Sequence, residues 1–405
     1  MKKFDFIAVG GCAAGLVAAI NAKRLHPKLN IAVIEKNPRA GKKILATGNG
    51  KCNLTNLEAL SHCYKNKRFA DFAVNSYPPE KVISFFESLG LLTYADSEGR
   101  VYPRSNTASS VLDALRFEAE KLGIAMICET PVADIAKKNG VFVINGEFEA
   151  KKILLATGGK ASPSQGSDGS GYPLAKSLGH GVTPLYPSLV PLTVKGDLVK
   201  TAKGIRARAV KLTLENGKIL KESEGEILFT ENGLSGIASM ELAAKTEESL
   251  KGENRKTFVH IDFVPDMSFS DIIAHLKNVR SIKGECGADA LLSGLLPKQI
   301  GVMICKGVKL YNSDKKVLDF SDSELKTLAG AVKDFAFEIS GSKGFANAQV
   351  TSGGVKTHEI NPETMESLIC KGLYFAGEII DVDGGCGGFN LQWAWASGLL
   401  AGENI

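Results

Sequence analysis

The chain has 405 residues, 44% hydrophobic and 23% charged, with a formal net charge of +5. That length allows two or three domains with substantial cores, and the scattered lysines read as a solvated surface, not a nucleic-acid stripe. No apolar run offers a membrane span. The opening MKKFDF leads straight into a strand pattern, so a cytoplasmic protein without a signal peptide is expected.

The first element is a strand pattern over residues 5–9, followed by the turn GGCAAG and an Ala- and Leu-rich helix pattern from about Ala13 to Leu25. Strand, glycine turn and helix in that order are the context of a dinucleotide fingerprint, G-x-G-x-x-G. Gly10 and Gly15 occupy its outer positions, and Cys12 stands where the middle glycine belongs. That position needs a small side chain where a pyrophosphate approaches backbone N–H groups. A second strand, IAVIE, ends on Glu35, where a carboxylate can accept hydrogen bonds from a ribose diol.

The polar segment GKKILATGNGKCNLTN, residues 41–56, carries little periodicity. Amphipathic helices are expected over 78–90 and 108–122, then short strands with a hairpin turn at Asn145-Gly146. The buried strand KILLATGG follows, ending on Thr157, Gly158 and Gly159. From about Pro187 the texture becomes antiparallel, with helical patterns at 235–248 and 269–296 and strands expected at KVLDF and AFEIS. Near residue 345 the strand–glycine–helix logic returns. GLYFAGE is a strand ending on Gly377-Glu378, and GGCGG opens an apolar helix from Asn390. The fold class expected is α/β: a Rossmann-like FAD-binding domain with an inserted β-barrel plus helical domain. The domain is discontinuous, residues 1–187 plus 345–405, and the insertion spans 188–344.

A ribose carboxylate, a second acid and a glycine-led helix N-terminus exceed what NAD requires and suit FAD. Glu35 would serve the adenosine ribose, Glu378 the ribityl chain, and the Gly387–Gly388–Phe389–Asn390 backbone the pyrimidine edge. A nicotinamide domain would need a second strand–glycine–helix unit. GSDGSGYPLA is the nearest match and lacks the preceding apolar strand, so NADH or NADPH is expected only as a transient electron donor.

The segments GKKILATGNGKCNLTN, GRVYPRSNTASSVLDAL, LLATGGKASPSQGSDGSGY, GEILFTENGLSG and LYFAGEIIDVDGGCGGFNLQWAWASG together resemble the BaiN/YhiN-like flavoproteins, of the aminoacetone-oxidase FAD-binding type. The resemblance covers essentially the whole chain. It implies a flavoprotein of the two-dinucleotide-binding-domain type holding FAD. By residue matching it places the cofactor on Gly10, Gly11, Cys12, Ala13, Ala14, Gly15, Glu35, Lys36, Val132, Thr157, Gly158, Gly159, Gly377, Glu378 and residues 387–390. Lys43, Asn49, Gly50, Cys52 and Asn53 stand in the loop it puts on the flavin side. Two positions depart from the family's habit: Cys12 replaces a glycine, and Lys51 replaces an arginine, a point charge for a planar fork.

Eight cysteines, none in a C-x-x-C pair, are expected as free thiols; their spacing opposes both a vicinal-dithiol reductase and structural zinc. Cys52, beside Lys51, is a candidate reactive thiolate, weighed against a small residue packed under the flavin. Cys386 is read with the same two alternatives. Tyr102 and Arg104 are further catalytic or anion-binding candidates, Arg104 being as well suited to a structural ion pair. His180 and His358 are possible proton donors, though turn or helix-end roles are commoner for such residues. Asn53 and Asn390 are candidates for flavin-edge hydrogen bonds. Trp393 and Trp395 are expected in the core.

The function expected is an FAD-dependent oxidoreductase driven by NAD(P)H, reducing a conjugated C=C bond in a sterol-like or other small substrate. Alternatives are an oxidase of a small amino ketone, for which Asp381 and Asp383 could hold the ammonium, and a flavin-containing, RNA-associated factor with little turnover. A small-molecule substrate is the expected partner, with no nucleic acid and no metal.

Overall fold

The computed structural model describes residues 1–252 and 256–405. The chain divides into two compact units, Met1–Tyr186 with Gln349–Ile405, and Pro187–Ala348.

The first unit is built on a seven-stranded sheet. Its strands are β1 (Lys2–Val9) and β2 (Ile31–Ile34), then, after β3 (Thr55–Asn56), β4 (Thr93–Ala95) and β5 (Arg100–Pro103), which form a separate small sheet, β6 (Ala125–Ile127), β7 (Ile135–Lys138), β8 (Val141–Ile144) and β9 (Phe148–Leu155). The order is β6-β2-β1-β9-β8-β7, and the short strand Leu373–Phe375 also joins β9. Strands β6, β2, β1, β9 and 373–375 run parallel, and β7, β8 and β9 form an antiparallel meander. The parallel strands are continuous apolar runs because both faces are covered. Phe6, Ile7, Ala8 and Val9, Ile31–Ile34 and Ile153–Leu155 are all buried.

Helix α1 (Ala13–Leu25) returns from β1 to β2 and is crossed by the C-terminal helix Phe389–Glu403. Glycines set how closely the two approach. A Cβ on Gly398 would stand 2.6 Å from the Ala14 carbonyl oxygen, and one on Gly402 2.5 Å from that of Ala18. The C-terminal helix is buried from Gln392 to Gly402. Trp393 donates its indole N–H to the Gly377 carbonyl (3.1 Å) and Trp395 to that of Leu54 (2.8 Å), so both tryptophans are core residues that also pin loops.

The second unit holds a closed barrel whose strands run, around the ring, Leu192–Val194, Gly233–Ser235, Ile219–Phe229, Arg206–Glu215, Phe258–Asp262 and Phe335–Ser342, all antiparallel. Alternate residues such as Leu212, Leu214, Val259, Ile261, Phe337 and Ile339 fill its core. Two expectations fail here. The helix expected over 269–296 stops at Ile282, because Gly284, Gly287 and Gly294 break the pattern, and a new helix runs from Lys298 after Pro297. KVLDF is a turn, not a strand: Asp319 accepts the Lys316 N–H at 2.8 Å. Ser321 and Glu324 then form a capping box that starts helix Asp322–Lys333. Among the described residues, no helix is long and apolar enough to cross a membrane, and no group of three His, Cys, Asp or Glu side chains could hold a metal.

Candidate functional site

Four motifs scattered from residue 10 to residue 378 meet at one edge of the parallel sheet. Glu35 follows β2, Gly10 follows β1, Thr157-Gly158-Gly159 follow β9, and Gly377-Glu378 follow strand 373–375. All four are carboxyl ends of adjacent parallel strands, the place where open α/β sheets bind ligands.

The turn between β1 and α1 shows which fingerprint positions demand glycine. Gly10 has φ +108°, and a Cβ there would lie 2.4 Å from the Ala156 oxygen. At Gly15 a Cβ would stand 1.9 Å from the Gly10 oxygen, so helix and strand can meet only through glycine. Cys12, the N-cap of α1, has φ −112° and ψ −153°, ordinary extended backbone. Nothing in its dihedrals asks for glycine. Burial pushes its thiol up, so the residue is a neutral small filler. No side chain caps α1, which leaves its first-turn N–H groups to a ligand. Glu35 is buried and preset: Oε2 accepts the Gly11 N–H (3.0 Å), and Oε1 accepts both the backbone and side-chain N–H of Asn37 (2.8 and 2.7 Å). Beside it Lys36 pairs with Asp168 at 2.7 Å. Burial would raise the Asp168 carboxyl, but bonds from Lys36 and Ser170 bring it down to about 2. Val132 is half-buried in the loop after β6, two residues beyond Thr130, whose N–H bonds the Glu35 carbonyl (3.0 Å).

Glu378 is fixed from two sides. The Lys43 ammonium reaches Oε2 at 2.6 Å, and the Thr351 N–H reaches Oε1 at 2.7 Å. A Cβ at Gly159 would come within 2.9 Å of Oε1, so this strand end must be glycine to admit the carboxylate. Lys43 is therefore bound to Glu378. Deeper in the same unit, Asp381 is buried against the Lys65 ammonium (2.8 Å) and the Thr183 hydroxyl (3.1 Å). Asp383 accepts from Ser352 at 3.0 Å. Both carboxylates that could have held a substrate ammonium thus have partners.

The opposite end is built from two strained loops. Gly48, Asn49, Gly50 and Cys52 all have positive φ, between 53° and 84°, as do Gly387 (125°) and Gly388 (101°). Gly388 sits against the Thr55 carbonyl, where a Cβ would be 2.6 Å away, and caps the C-terminal helix, whose first turn has no side-chain cap. The buried Oδ1 of Asn53, beside Gly388, and the buried hydroxyl of Thr157, at the end of β9, have no hydrogen-bond partner among the described residues. Asn390, by contrast, is used internally: its side chain accepts the Gly384 N–H (2.9 Å) and donates to the Gly384 and Gly385 carbonyls. Cys52 is fully buried, and burial pushes its thiol up to about 12, the opposite of what a thiolate nucleophile needs.

Tyr102 and Arg104 lie on and just after β5, while Lys51 is exposed. His180 is buried against Phe375, with Ser367 at 2.8 Å and Glu359 at 3.3 Å. Ser367 already accepts the Ile369 and Cys370 N–H groups, so its hydroxyl proton points to His180. That network holds a turn. His358 lies on the exterior, 3.9 Å from Glu359. No local pattern marks Lys65, Thr183, Thr351 or Ser352. Each meets a partner distant in the chain or outside any motif, and only the strand order brings them together.

The model of the family described as HI0933-like protein Rossmann domain matches residues 4–404. The chain belongs to this family. It is 38% identical over 405 residues to the 3-dehydro-bile acid delta(4,6)-reductase of Clostridium scindens, covering 98% of this chain and 97% of that protein. It is 30% identical to the ribosomal RNA dihydrouridine synthase of Escherichia coli, covering 100% and 98%. Among solved structures, the E. coli quinol fumarate reductase FrdA aligns with TM-score 0.49 and 19% identity, over 100% of this chain and 70% of that one. This member of the family is an FAD-dependent oxidoreductase with a Rossmann-type FAD-binding domain.

Proposed function

We propose that this protein reduces a C=C bond conjugated to a ring carbonyl in a small, sterol-like substrate, taking electrons from NADH or NADPH through FAD. The observation that carries the reading is the 38% identity, over nearly the full length of both chains, to a delta(4,6)-reductase of a 3-dehydro-bile acid. The more distant relative's name describes related chemistry, since dihydrouridine is uridine with one ring C=C bond reduced beside a carbonyl. The pairing of Asp381 with Lys65 weighs against amino-ketone oxidation, because the buried carboxylate is already neutralised.

The residues at the sheet edge fit FAD. Glu35, preset by Gly11 and Asn37, holds the adenosine ribose. The uncapped α1 turn, from Gly10 through Cys12, Ala13 and Ala14 to Gly15, receives the pyrophosphate. Glu378, oriented by Lys43 and Thr351, would hold the ribityl chain together with Thr157, Gly158 and Gly159. The N–H groups of residues 387–390, with Asn53 and the Asn49–Cys52 loop, would hold the isoalloxazine, and the Asn53 Oδ1, without a partner among the described residues, would accept a hydrogen bond there. Bound FAD supplies two-electron transfer at N5. Overall, one hydride and one proton add across the C=C bond while the nicotinamide is oxidised. The helix N-terminus at residues 388–390 favours negative charge on the reduced ring.

A second reading, reduction of uridine within ribosomal RNA, draws on the 30% identity to the synthase. In the second unit Lys277, Arg280, Lys298, Lys315, Lys316 and Lys333 are paired with carboxylates, which lends it little support. Anaerobic stopped-flow decides among the readings. NADH or NADPH should bleach the flavin within the turnover time, and a 3-oxo-4,6-diene steroid should restore its colour. Bleaching by aminoacetone alone would replace this reading with the oxidase. Reoxidation by an unmodified rRNA fragment but not by the steroid would replace it with the synthase.

A further inference from the structure

The small sheet β4-β5-β3 presents one face that the cofactor assignment leaves unused. Thr55 and Val101, opposite each other, point into the core. The other face carries Asn56 opposite Arg100, then Tyr102, and Tyr94 directly across from it on β4. This face adjoins the flavin-side loop, since Asn56 donates to the Gly387 carbonyl at 3.0 Å.

The two tyrosine rings sit 5.9 Å apart, tilted by 32°, and the Arg104 guanidinium lies 5.6 Å over Tyr94. Tyr94 is held by a bond from its hydroxyl to Asn106 (2.7 Å). Both rings are half-buried, and Arg104 is exposed. The charges differ in availability. Arg100 is taken by Asp96 (2.8 Å) and Glu98 (2.9 Å), whereas Arg104 has no carboxylate partner among the described residues. Two half-buried rings tilted by 32° beside the flavin-side loop, with a guanidinium over Tyr94 that meets no carboxylate among the described residues, suit a ring system carried next to an anion.

Resting on the reductase reading, we infer that Tyr102 and Tyr94 form the stacking platform for the conjugated ring of the substrate, and that Arg104 binds a carboxylate carried on the same molecule. The platform is the specificity-determining surface: it selects acidic ring ketones over neutral ones.

The test uses flavin-loaded protein with a 3-oxo-4,6-diene steroid carboxylic acid and its methyl ester. Wild type should prefer the acid in kcat/KM. Arg104→Gln should lower the acid-to-ester ratio about tenfold or more, the scale of one hydrogen bond to a charged group. Tyr102→Ala and Tyr94→Ala should raise KM for both compounds, and Tyr102→Phe should restore it. Flavin content and thermal stability of Arg104→Gln should match wild type. Wild type that turns over neither steroid fails the reductase reading and the inference with it. An active wild type whose acid-to-ester ratio is unmoved by Arg104→Gln overturns the inference alone. So does an Arg104→Gln variant that loses binding to an rRNA fragment while keeping its steroid preference, which would make the platform an RNA surface.

Discussion

The end of the site assigned to adenosine and the end assigned to the flavin are built from different kinds of chain. At the first, residues 10–37 supply the turn, the helix start and the carboxylate, and the bonds that set Glu35 come from Gly11 and Asn37. At the second, residues 47–56 meet residues 384–392 across more than 300 positions: Asn56 to Gly387, Thr55 to Gln392 (2.6 Å). The local end keeps ordinary dihedrals except at Gly10 and leaves N–H groups free. The assembled end gathers positive-φ residues and an unsatisfied polar atom. Strain and unmet bonding of this kind persist only where the surrounding fold enforces them. The turn after β1 is therefore set by local sequence, and the loops at the other end are set by tertiary structure.

The largest break in that comparison is expected at the local end. Gly15→Val should prevent flavin binding and destabilise the domain, because its Cβ alone would overlap the Gly10 carbonyl. Overpacking of this sort costs about 1–3 kcal/mol or more. Cys12→Gly, three residues earlier, should leave both flavin content and melting temperature near wild type. Flavin-to-protein ratios of the two variants check the contrast, and a Cys12→Gly protein that loses FAD would show that the thiol contacts the cofactor.

Between the two ends stands Glu378. Lys43→Met leaves this largely buried carboxylate with the Thr351 N–H and no cation. A loss of about 1–3 kcal/mol is expected from the uncompensated group, seen as a lower melting temperature and weaker FAD retention. The double variant Lys43→Met/Glu378→Gln should recover part of the stability. Failure to recover any would mean that Lys43 acts on something other than Glu378.

A smaller and more selective effect is expected at the assembled end. Asn53→Ala removes a polar atom that has no hydrogen-bond partner among the described residues. The apoprotein should melt at the wild-type temperature or slightly above, while FAD affinity falls about tenfold, the size of one lost hydrogen bond. Titration of apoprotein with FAD measures one quantity and calorimetry the other. Equal losses in both would place Asn53 in the core, not at the cofactor.

The same division explains what could be read from the sequence. Gly10, Gly15 and Glu35 are visible because a turn, a helix start and a strand end at fixed spacing need particular residue types. The parallel strands are visible because burial on both faces leaves unbroken apolar runs. Lys65 on Asp381 or Thr351 on Glu378 has no such trace: nothing local in a lysine at 65 or a threonine at 351 marks its partner. Asn390 is ambiguous for a related reason. An amide beside a glycine loop can face a ligand or close the loop on itself, and only the fold shows that it bonds Gly384 and Gly385. In the barrel unit, KVLDF has strand-forming residues, yet the capping chemistry of Asp319 and Ser321–Glu324 overrides them.

The smallest expected effect is electrostatic and belongs to the local end. Asp168 is held at about 2 in the folded protein, below its ordinary 3.8, with Lys36 among the groups that lower it. A carboxyl lowered on folding contributes stability that is complete above pH 3.8 and disappears as pH falls through about 2. The Asp168 side chain is 44% exposed and Lys36 26%, so solvent screening limits the pair to about 0–1 kcal/mol. Asp168→Asn should therefore melt slightly below wild type at pH 6, with the gap closing by pH 2 and shrinking in high salt. Lys36→Met should show the same pattern. Thermal melts across that pH range measure it. A gap that stayed constant with pH would mean that Asp168 acts through packing of the 166–171 turn, and the adenosine end would then owe its rigidity to shape alone.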